Sequence, residues 1–349
     1  MMQKNILILF FLAFGFLGGC KKNGTNNPGN PPAANTFINP VMNGSDPWII
    51  QQGDSYYYSH TLGNRIVLWK SKSVARMASA QSVEIFRPAS GQPFSANIWA
   101  PELHYLDNKW YVYFTAGGGA DETQRTWVLE NPAADPATGV WTMKGRIFAA
   151  DADFWAIDGT VLDYNGQLYF LWSGRPVQSI QDQHIYIAKM QNPWTLEGPS
   201  VVLTKPELSW ERIGGPVNEA PQVLKNSAGR LFMVYSGSGC WTDDYALGML
   251  TLKTGGDPMK KEDWTKSSGP VFSKSPAASA FGPGHNAFFK SPDGNEDWIM
   301  YHANNNSGEG CAEKRNVRIQ KFTWNAGGMP EFGVPQKTGT AIPSPGGEL

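Results

Sequence analysis

Apolar and polar residues alternate in short bursts along most of this chain, and the bursts come in pairs separated by turn residues. ELHYL, the turn DNK and WYVYFTA form one such pair; TVLDY, NGQ and LYFLWSG form another, with the Asn-Gly turn that hairpins favour. QVLKN, SAGR and LFMVYSG repeat the pattern, followed by YALGMLTL as a third strand. WIIQQ, GDS and YYYSHT run on into RIVLWKS, and AFFKS, PDGNED and WIMYHA run on into RIQKFTW. Strands of about five residues without a helical period predict an all-β fold.

The pairs return at nearly even intervals, and a carboxylate or histidine stands at the head of each. These residues are Asp46, Glu102, Asp158, Glu219 and His285, with spacings 102−46 = 56, 158−102 = 56, 219−158 = 61 and 285−219 = 66. A period of that size predicts a five-bladed β-propeller. A sandwich would leave the regular return of polar residues unexplained. In a propeller the first strand of each blade lines the central channel, so the five heads converge at one mouth. The loops after the second strands, AGGGAD, SGRPVQ, SGSGCWTDDY and HANNNSGEG, form its rim.

The ends change the picture only outside the repeat. Residues 1–19 carry Lys4 and an apolar run from Ile6 to Leu17, the pattern of an export signal too short to span a bilayer comfortably. The LGGC ending resembles a bacterial lipobox, which implies cleavage before Cys20 and lipidation of that cysteine. Residues 20–36 are rich in Gly, Pro and Asn and read as a flexible tether, leaving 37–349 as the propeller domain. The expected location is a bacterial cell envelope, periplasmic or at the cell surface, with the membrane met only through the lipid.

Charge is nearly balanced, 29 basic against 30 acidic residues, and no basic patch stands out, so nucleic acid is not an expected partner. A monomer is expected. The 14 Trp, 12 Tyr and 18 Phe lie largely in strands and serve a core as readily as a sugar platform. Cys240 and Cys311 each follow the second strand of their repeats, in neighbouring blades of an exported chain, and are expected to form a disulfide; two free buried thiols are the alternative.

Asp46, Asp158 and Glu219 would bring three acids to one pocket. Glycoside hydrolysis needs two carboxyl groups, one protonated at the leaving oxygen and one ionised to activate water or attack carbon. A third acid nearby can hold the proton donor's pKa up.

The segments SDPW, IWAPEL, AIDGTVL, VNEAPQ and GPGHNAF together resemble glycoside hydrolase family 43, over about Asn39 to Trp324. The resemblance implies an inverting hydrolase with Asp46 as general base, Glu219 as general acid and Asp158 raising and orienting the acid. It implies substrate contacts from Trp99, His285 and Arg318, and places His285 deep in the channel, near a structural calcium or sodium ion in some relatives. No cofactor is expected, and one histidine gives no spacing for catalytic zinc. Glu102, although in the APEL motif, is assigned to scaffolding.

The segments GCWTDDYALGML and YHANNNSGEGCAEKRNVRIQKFTW resemble the branch that releases terminal L-arabinofuranose from α-1,5-linked arabinan. The expected partner is therefore plant cell-wall arabinan or arabino-oligosaccharides. A β-xylosidase, an endo-arabinanase or a non-catalytic sugar-binding propeller remain the alternatives. The retaining fructan-cleaving propellers carry Asn-Asp-Pro-Asn where this chain has Ser45-Asp46-Pro47-Trp48, which argues against them.

Overall fold

Each hairpin of the sequence becomes the two inner strands of a four-stranded antiparallel sheet in the computed structural model, which describes residues 35–348 apart from residue 312. The export signal, most of the tether and Cys20 lie outside the described residues. Blade I comprises Trp48–Gln52, Ser55–Ser59, Ile66–Ser71 and Gln81–Phe86. Blade II comprises Ala96–Leu106, Lys109–Gly117, Arg125–Asn131 and Thr142–Arg146. Blade III follows with Trp155–Tyr164, Gln167–Arg175, His184–Asn192 and Thr195–Thr204. Blade IV uses Asn218–Lys225, Leu231–Gly237, Ala246–Leu252 and Trp264–Lys266.

Blade V is built from both ends of the chain. Phe281–Lys290, Asp297–Asn304 and Asn316–Trp324 supply three strands, and Met42–Asn43 adds the fourth by pairing with Val317 and Asn316. The innermost strands touch in the order I, II, III, IV, V and back to I, closing the ring of a five-bladed propeller. Outside the ring, Thr36–Ile38 pairs with Ala341–Pro343. The C-terminal segment packs against the outer loop of blade I, where Glu348 accepts from Ser73 Oγ and Val74 N–H, and against the inner hairpin turn of blade V, where Asp293 N–H donates to Gly346. That is the face opposite the heads of the first strands. Among the described residues no helix is long and apolar enough to cross a membrane.

The core is five separate layers, one between each pair of neighbouring blades, rather than one centre. Trp110, Val112 and Phe114 of blade II meet Tyr57, Ile66 and Leu68 of blade I; Phe170 and Trp172 of blade III meet Tyr111 and Tyr113 of blade II. Flat sheets packed face to face need wide side chains to fill the gap, which accounts for the aromatic content. Trp110, Trp298, Tyr56, Tyr113, Tyr235 and Tyr301 are fully buried, each contributing on the order of 2–3 kcal/mol of apolar transfer.

The heads of the first strands share one backbone device. Asp46, Ala100, Asp158, Ala220 and His285 all have positive φ, between 43° and 56°. In blades II to V the pairing register shifts at or beside this residue, the signature of a β-bulge. The equivalent positions are therefore spaced 100−46 = 54, 158−100 = 58, 220−158 = 62 and 285−220 = 65. This corrects the register expected from sequence: Glu219 lies one residue before its bulge and Glu102 two residues after. Positive φ in a non-glycine residue costs of order 1–3 kcal/mol and persists because the surroundings over-determine it.

What over-determines it is a polar residue on the second strand of the preceding blade. Thr115 Oγ1 accepts from Asp158 N–H at 3.2 Å, Ser236 Oγ from His285 N–H at 2.8 Å, and His302 Nδ1 from Asp46 N–H at 3.0 Å. Ser59 donates to the Pro101 carbonyl at 2.6 Å and Ser173 to the Asn218 carbonyl at 2.9 Å. Every blade thus satisfies a backbone group that the bulge of its neighbour frees.

Candidate active site

The bulged heads open into a cavity of about 470 Å³ whose wall includes Asp46, Asp158, Glu219, Trp99 and His285. Five residues singled out from sequence therefore meet in one place. Two did not belong there. Glu102 lies below, 2% exposed, bonded to His104 at 3.0 Å and to Gln222 of blade IV, so it ties blades across the channel.

Arg318 is fully buried in blade V and spends its guanidinium on Asn316 Oδ1, Asn305 Oδ1 and the carbonyls of Ser279 and Asn304. It is absent from the cavity wall, so a contact with sugar has no support from its position. The arginine that reaches the wall from this segment is Arg315, three residues earlier, in the loop before the strand.

Arg315 donates from Nη1 to Asp46 Oδ1 at 3.1 Å, and His285 Nδ1 lies 3.3 Å from the same oxygen. Burial, the largest influence, pushes the Asp46 carboxyl up. Arg315, His285, His302 and the Thr61 hydroxyl together outweigh it and hold Asp46 well below the usual carboxylate range. Burial also drives both imidazoles toward the neutral form. His302 accepts the Asp46 amide proton at Nδ1, in keeping with that form. At neutral pH the standing positive charge on Asp46 is therefore that of Arg315.

The opposite wall has no such cation in contact. Asp158 is 4% exposed; burial first, then the charges of Glu219 and Asp46, raise its pKa well above the ordinary value, against a bond from Ala220 N–H at 3.0 Å. Burial likewise raises Glu219, to about 7, with the Asp46 charge adding and Tyr245 and Arg315 opposing. Tyr245 donates to Glu219 Oε1 at 2.8 Å and is itself held protonated by burial and by the charge it faces. The cavity thus joins one fixed carboxylate to a pair of carboxyl groups that retain protons near neutrality.

Residues that sequence reasoning passed over complete the wall. Arg175 stacks on Trp155 at 4.0 Å and bonds to Asp121, and Gln181 and Trp241 stand at the rim. Cys240 and Cys311 are joined by a disulfide, with Cα atoms 5.4 Å apart, and both line the cavity. The same two loops are clipped again by Asp243, which accepts from Ser307 Oγ and from Gly308 N–H.

The sequence of the family described as glycosyl hydrolases family 43 matches residues 37–330 of this chain. The chain belongs to glycosyl hydrolase family 43. It is 41% identical over 314 residues to the extracellular exo-α-(1→5)-L-arabinofuranosidase of Streptomyces avermitilis, covering 87% of this chain and 64% of that protein. It is 37% identical to α-L-arabinofuranosidase 43 of Humicola insolens, covering 88% of this chain and 65% of that protein. The chain therefore spans just under two thirds of the length of these two. The crystal structure of α-L-arabinofuranosidase from Lactobacillus brevis superimposes with a TM-score of 0.82 at 35% identity, over 87% of this chain and 98% of that one. A thermostable family 43 hydrolase, at 24% identity and a TM-score of 0.72, is alike in fold.

Proposed function

We propose that this protein is an inverting, exo-acting α-L-arabinofuranosidase that releases terminal L-arabinofuranose from α-1,5-linked arabinan or arabino-oligosaccharides. The observation that carries the reading is the opposed ionisation of Asp46 and the Asp158–Glu219 pair within one cavity, since a glycosidase needs one carboxylate and one carboxylic acid at the same bond. The names of the two relatives above support the sugar, and that of the Streptomyces avermitilis protein the linkage and the exo mode.

Asp46, ionised, takes a proton from a water molecule as that water attacks the anomeric carbon. Glu219 gives its proton to the glycosidic oxygen as the bond to the leaving chain breaks. Asp158, buried beside Glu219, is coupled to it: a negative charge on either carboxyl opposes one on the other, which keeps a proton on the pair until the leaving oxygen draws it. After product leaves, Asp46 loses its proton and Glu219 regains one from solvent through the cavity mouth. Trp99, half-buried in the wall, offers an apolar face to the reacting ring, and His285 and Arg315 hold Asp46 in place.

A calcium or sodium ion beside His285 is part of the same reading only as a hydrated ion. Among the described residues no three acidic, histidine or cysteine side chains form a metal-ligating group. Next in sequence to His285, Asn286 keeps a buried Oδ1 without a hydrogen-bond partner, an oxygen of the kind such an ion takes. Such an ion would add positive charge near the base; no catalytic step needs it.

The protein is held at the envelope by cleavage before Cys20, lipid attachment there and a tether that runs from Cys20 toward the strand opening at Thr36, with the propeller as a monomer. Mass spectrometry of the mature N-terminus, finding lipid-modified Cys20, tests the anchor. The activity is tested by proton NMR and chromatography of early products from α-1,5-arabinotriose. The expected product is arabinose in the inverted β configuration. Retained configuration overturns the mechanism, and internal cleavage of linear arabinan to oligosaccharides overturns the exo mode.

A further inference from the structure

Trp241 is built into the rim in an unusual manner. Its indole lies across three glycines: a Cβ added at Gly239 would fall 2.4 Å from the ring, at Gly214 2.8 Å and at Gly215 3.2 Å. A side chain at Gly239 or Gly214 would displace the ring and one at Gly215 would press on it, so these backbone segments lie directly against the indole. The ring is nonetheless 48% exposed, and it lines the cavity that holds the three acids. Burying one face so tightly while leaving the rest open is the construction of a platform, not of a core.

The platform continues outward. Ile213, 41% exposed, precedes Gly214 and accepts from Gly239 N–H at 2.9 Å. A Cβ at Gly215 would also meet Gln181, at 3.3 Å, which places the blade III rim loop alongside, and this loop exposes Ile180 and Val177 at 53% and 50%. The rim loops of blades III and IV beside Trp241 thus carry exposed aliphatic residues, an apolar lip.

Position decides what the lip receives. In an inverting displacement the base and the acid stand on opposite sides of the sugar, and the leaving group departs on the acid's side. Asp46 comes from blade I and is clamped by the blade V loop through Arg315. Glu219 comes from blade IV, and the loop carrying Trp241 ends at Tyr245, which donates to Glu219. The disulfide at Cys240 pins the residue next to Trp241.

We infer that Trp241, seated on Gly214, Gly215 and Gly239 and extended by Ile213 and Ile180, is the platform for the leaving-group portion of the substrate. Its ligand is the C–H face of the pentofuranose units that follow the scissile bond. This inference rests on the proposed function for the identity of the sugar. It makes Trp241 a specificity-determining residue that favours chains over isolated arabinosides.

The test is steady-state kinetics of the wild type, Trp241→Ala, Trp241→Phe and Gly239→Ala on methyl α-L-arabinofuranoside, which has no chain to dock, and on α-1,5-arabinotriose and arabinotetraose. Trp241→Ala is expected to lower kcat/KM for the oligosaccharides about three- to tenfold, the scale of one lost aromatic contact, through KM rather than kcat. The methyl glycoside should stay within about twofold of wild type, within the scatter of a contact not made. Trp241→Phe should restore part of the loss, and Gly239→Ala, which lifts the indole without removing it, should resemble Trp241→Ala. An equal fall on the methyl glycoside would put Trp241 in the reacting sugar's own pocket and overturn the inference. So would an unchanged ratio between the substrates in Trp241→Ala. A wild type that hydrolyses none of the arabinosides would instead overturn the function reading.

Discussion

The two walls of the cavity carry the same functional group and treat it in opposite ways. On the blade I and V side, Asp46 is mostly buried yet held as a carboxylate, because Arg315 touches one of its oxygens and His285, His302 and the Thr61 hydroxyl add to that hold. On the blade III and IV side, Asp158 is buried and Glu219 largely so, with no cation in contact among the described residues, and both retain protons to higher pH. Burial acts on all three in the same direction, so the difference comes from the neighbours. The neighbours on one wall, Arg315 first among them, divide three like residues into one carboxylate and two carboxyl groups that hold protons more tightly.

Removing the base should have the largest effect. Asp46→Asn keeps shape and loses water activation, so turnover is expected to fall below detection, at least about 10⁴-fold, on every substrate, whatever its leaving group. Rate measurement with added azide, which can take the place of water, checks whether the loss is chemical rather than structural.

Removing the acid should divide substrates where removing the base does not. Glu219→Gln is expected to cost about 10²- to 10⁴-fold on arabino-oligosaccharides and much less on aryl arabinofuranosides whose leaving group needs little protonation. The wild-type profile of kcat/KM should fall on the alkaline side with a midpoint near 7, because Glu219 must be protonated to act. On aryl substrates that limb should vanish in Glu219→Gln. Equal losses on both substrate types would remove Glu219 from the role.

Erasing the cation should make the two walls alike. In Arg315→Met burial acts on Asp46 against weaker opposition, so its pKa rises and the acid limb of the pH profile moves toward neutrality. Activity at pH 5 should fall more than at pH 7, about tenfold for each unit of pH below the new midpoint. An acid limb that stays in place would show that Arg315 does not set the ionisation of Asp46.

The smallest effects concern stability. Glu219 has a folded pKa above its unfolded value, so the folded state binds more protons between about 4.5 and 7, and stability contributed by that proton is present below the unfolded pKa and lost as pH rises toward 7. Glu219→Gln should therefore raise the melting temperature at pH 8 by a few degrees, on the order expected for one to two kcal/mol, with little change at pH 4.5. A thermal scan at the two pH values measures it. Equal shifts at both would tie the change to packing instead.

The blades were legible in the sequence because each strand pair carries its own alternation and turn, and these are local signals. Asp46, Asp158, Glu219, Trp99 and His285 were found because short motifs mark the heads of the first strands. The phase of the repeat was not, since two carboxylates near a bulge look the same in sequence whether they sit on it or beside it. A better signal was present in the second strands: Tyr58-Ser59, Phe114-Thr115, Trp172-Ser173, Tyr235-Ser236 and Tyr301-His302 each place an aromatic residue before the group that bonds to the next blade.

Arg318 shows a second kind of failure. It shares a strand face with Asn316 and Gln320, all nearly inaccessible, whereas Arg315 lies just before the strand begins. Where a strand starts is a tertiary fact, and three residues decide whether an arginine braces a blade or grips the base. The fourth strand of blade V was equally hidden, because Met42–Asn43 is two residues long and its partner is more than 270 positions away.

The pairing of Thr36–Ile38 with Ala341–Pro343 gathers both described chain ends on the face away from the acids. Asn35 bonds to Glu348 there, and Glu348 in turn holds the outer loop of blade I. A load applied through residue 35 is therefore borne by that short ribbon and its neighbours, while the bulges that aim Asp46 and Asp158 lie at the far end of their strands. Asn35, where the described chain begins, is thereby held by Glu348 on the side remote from the cavity mouth.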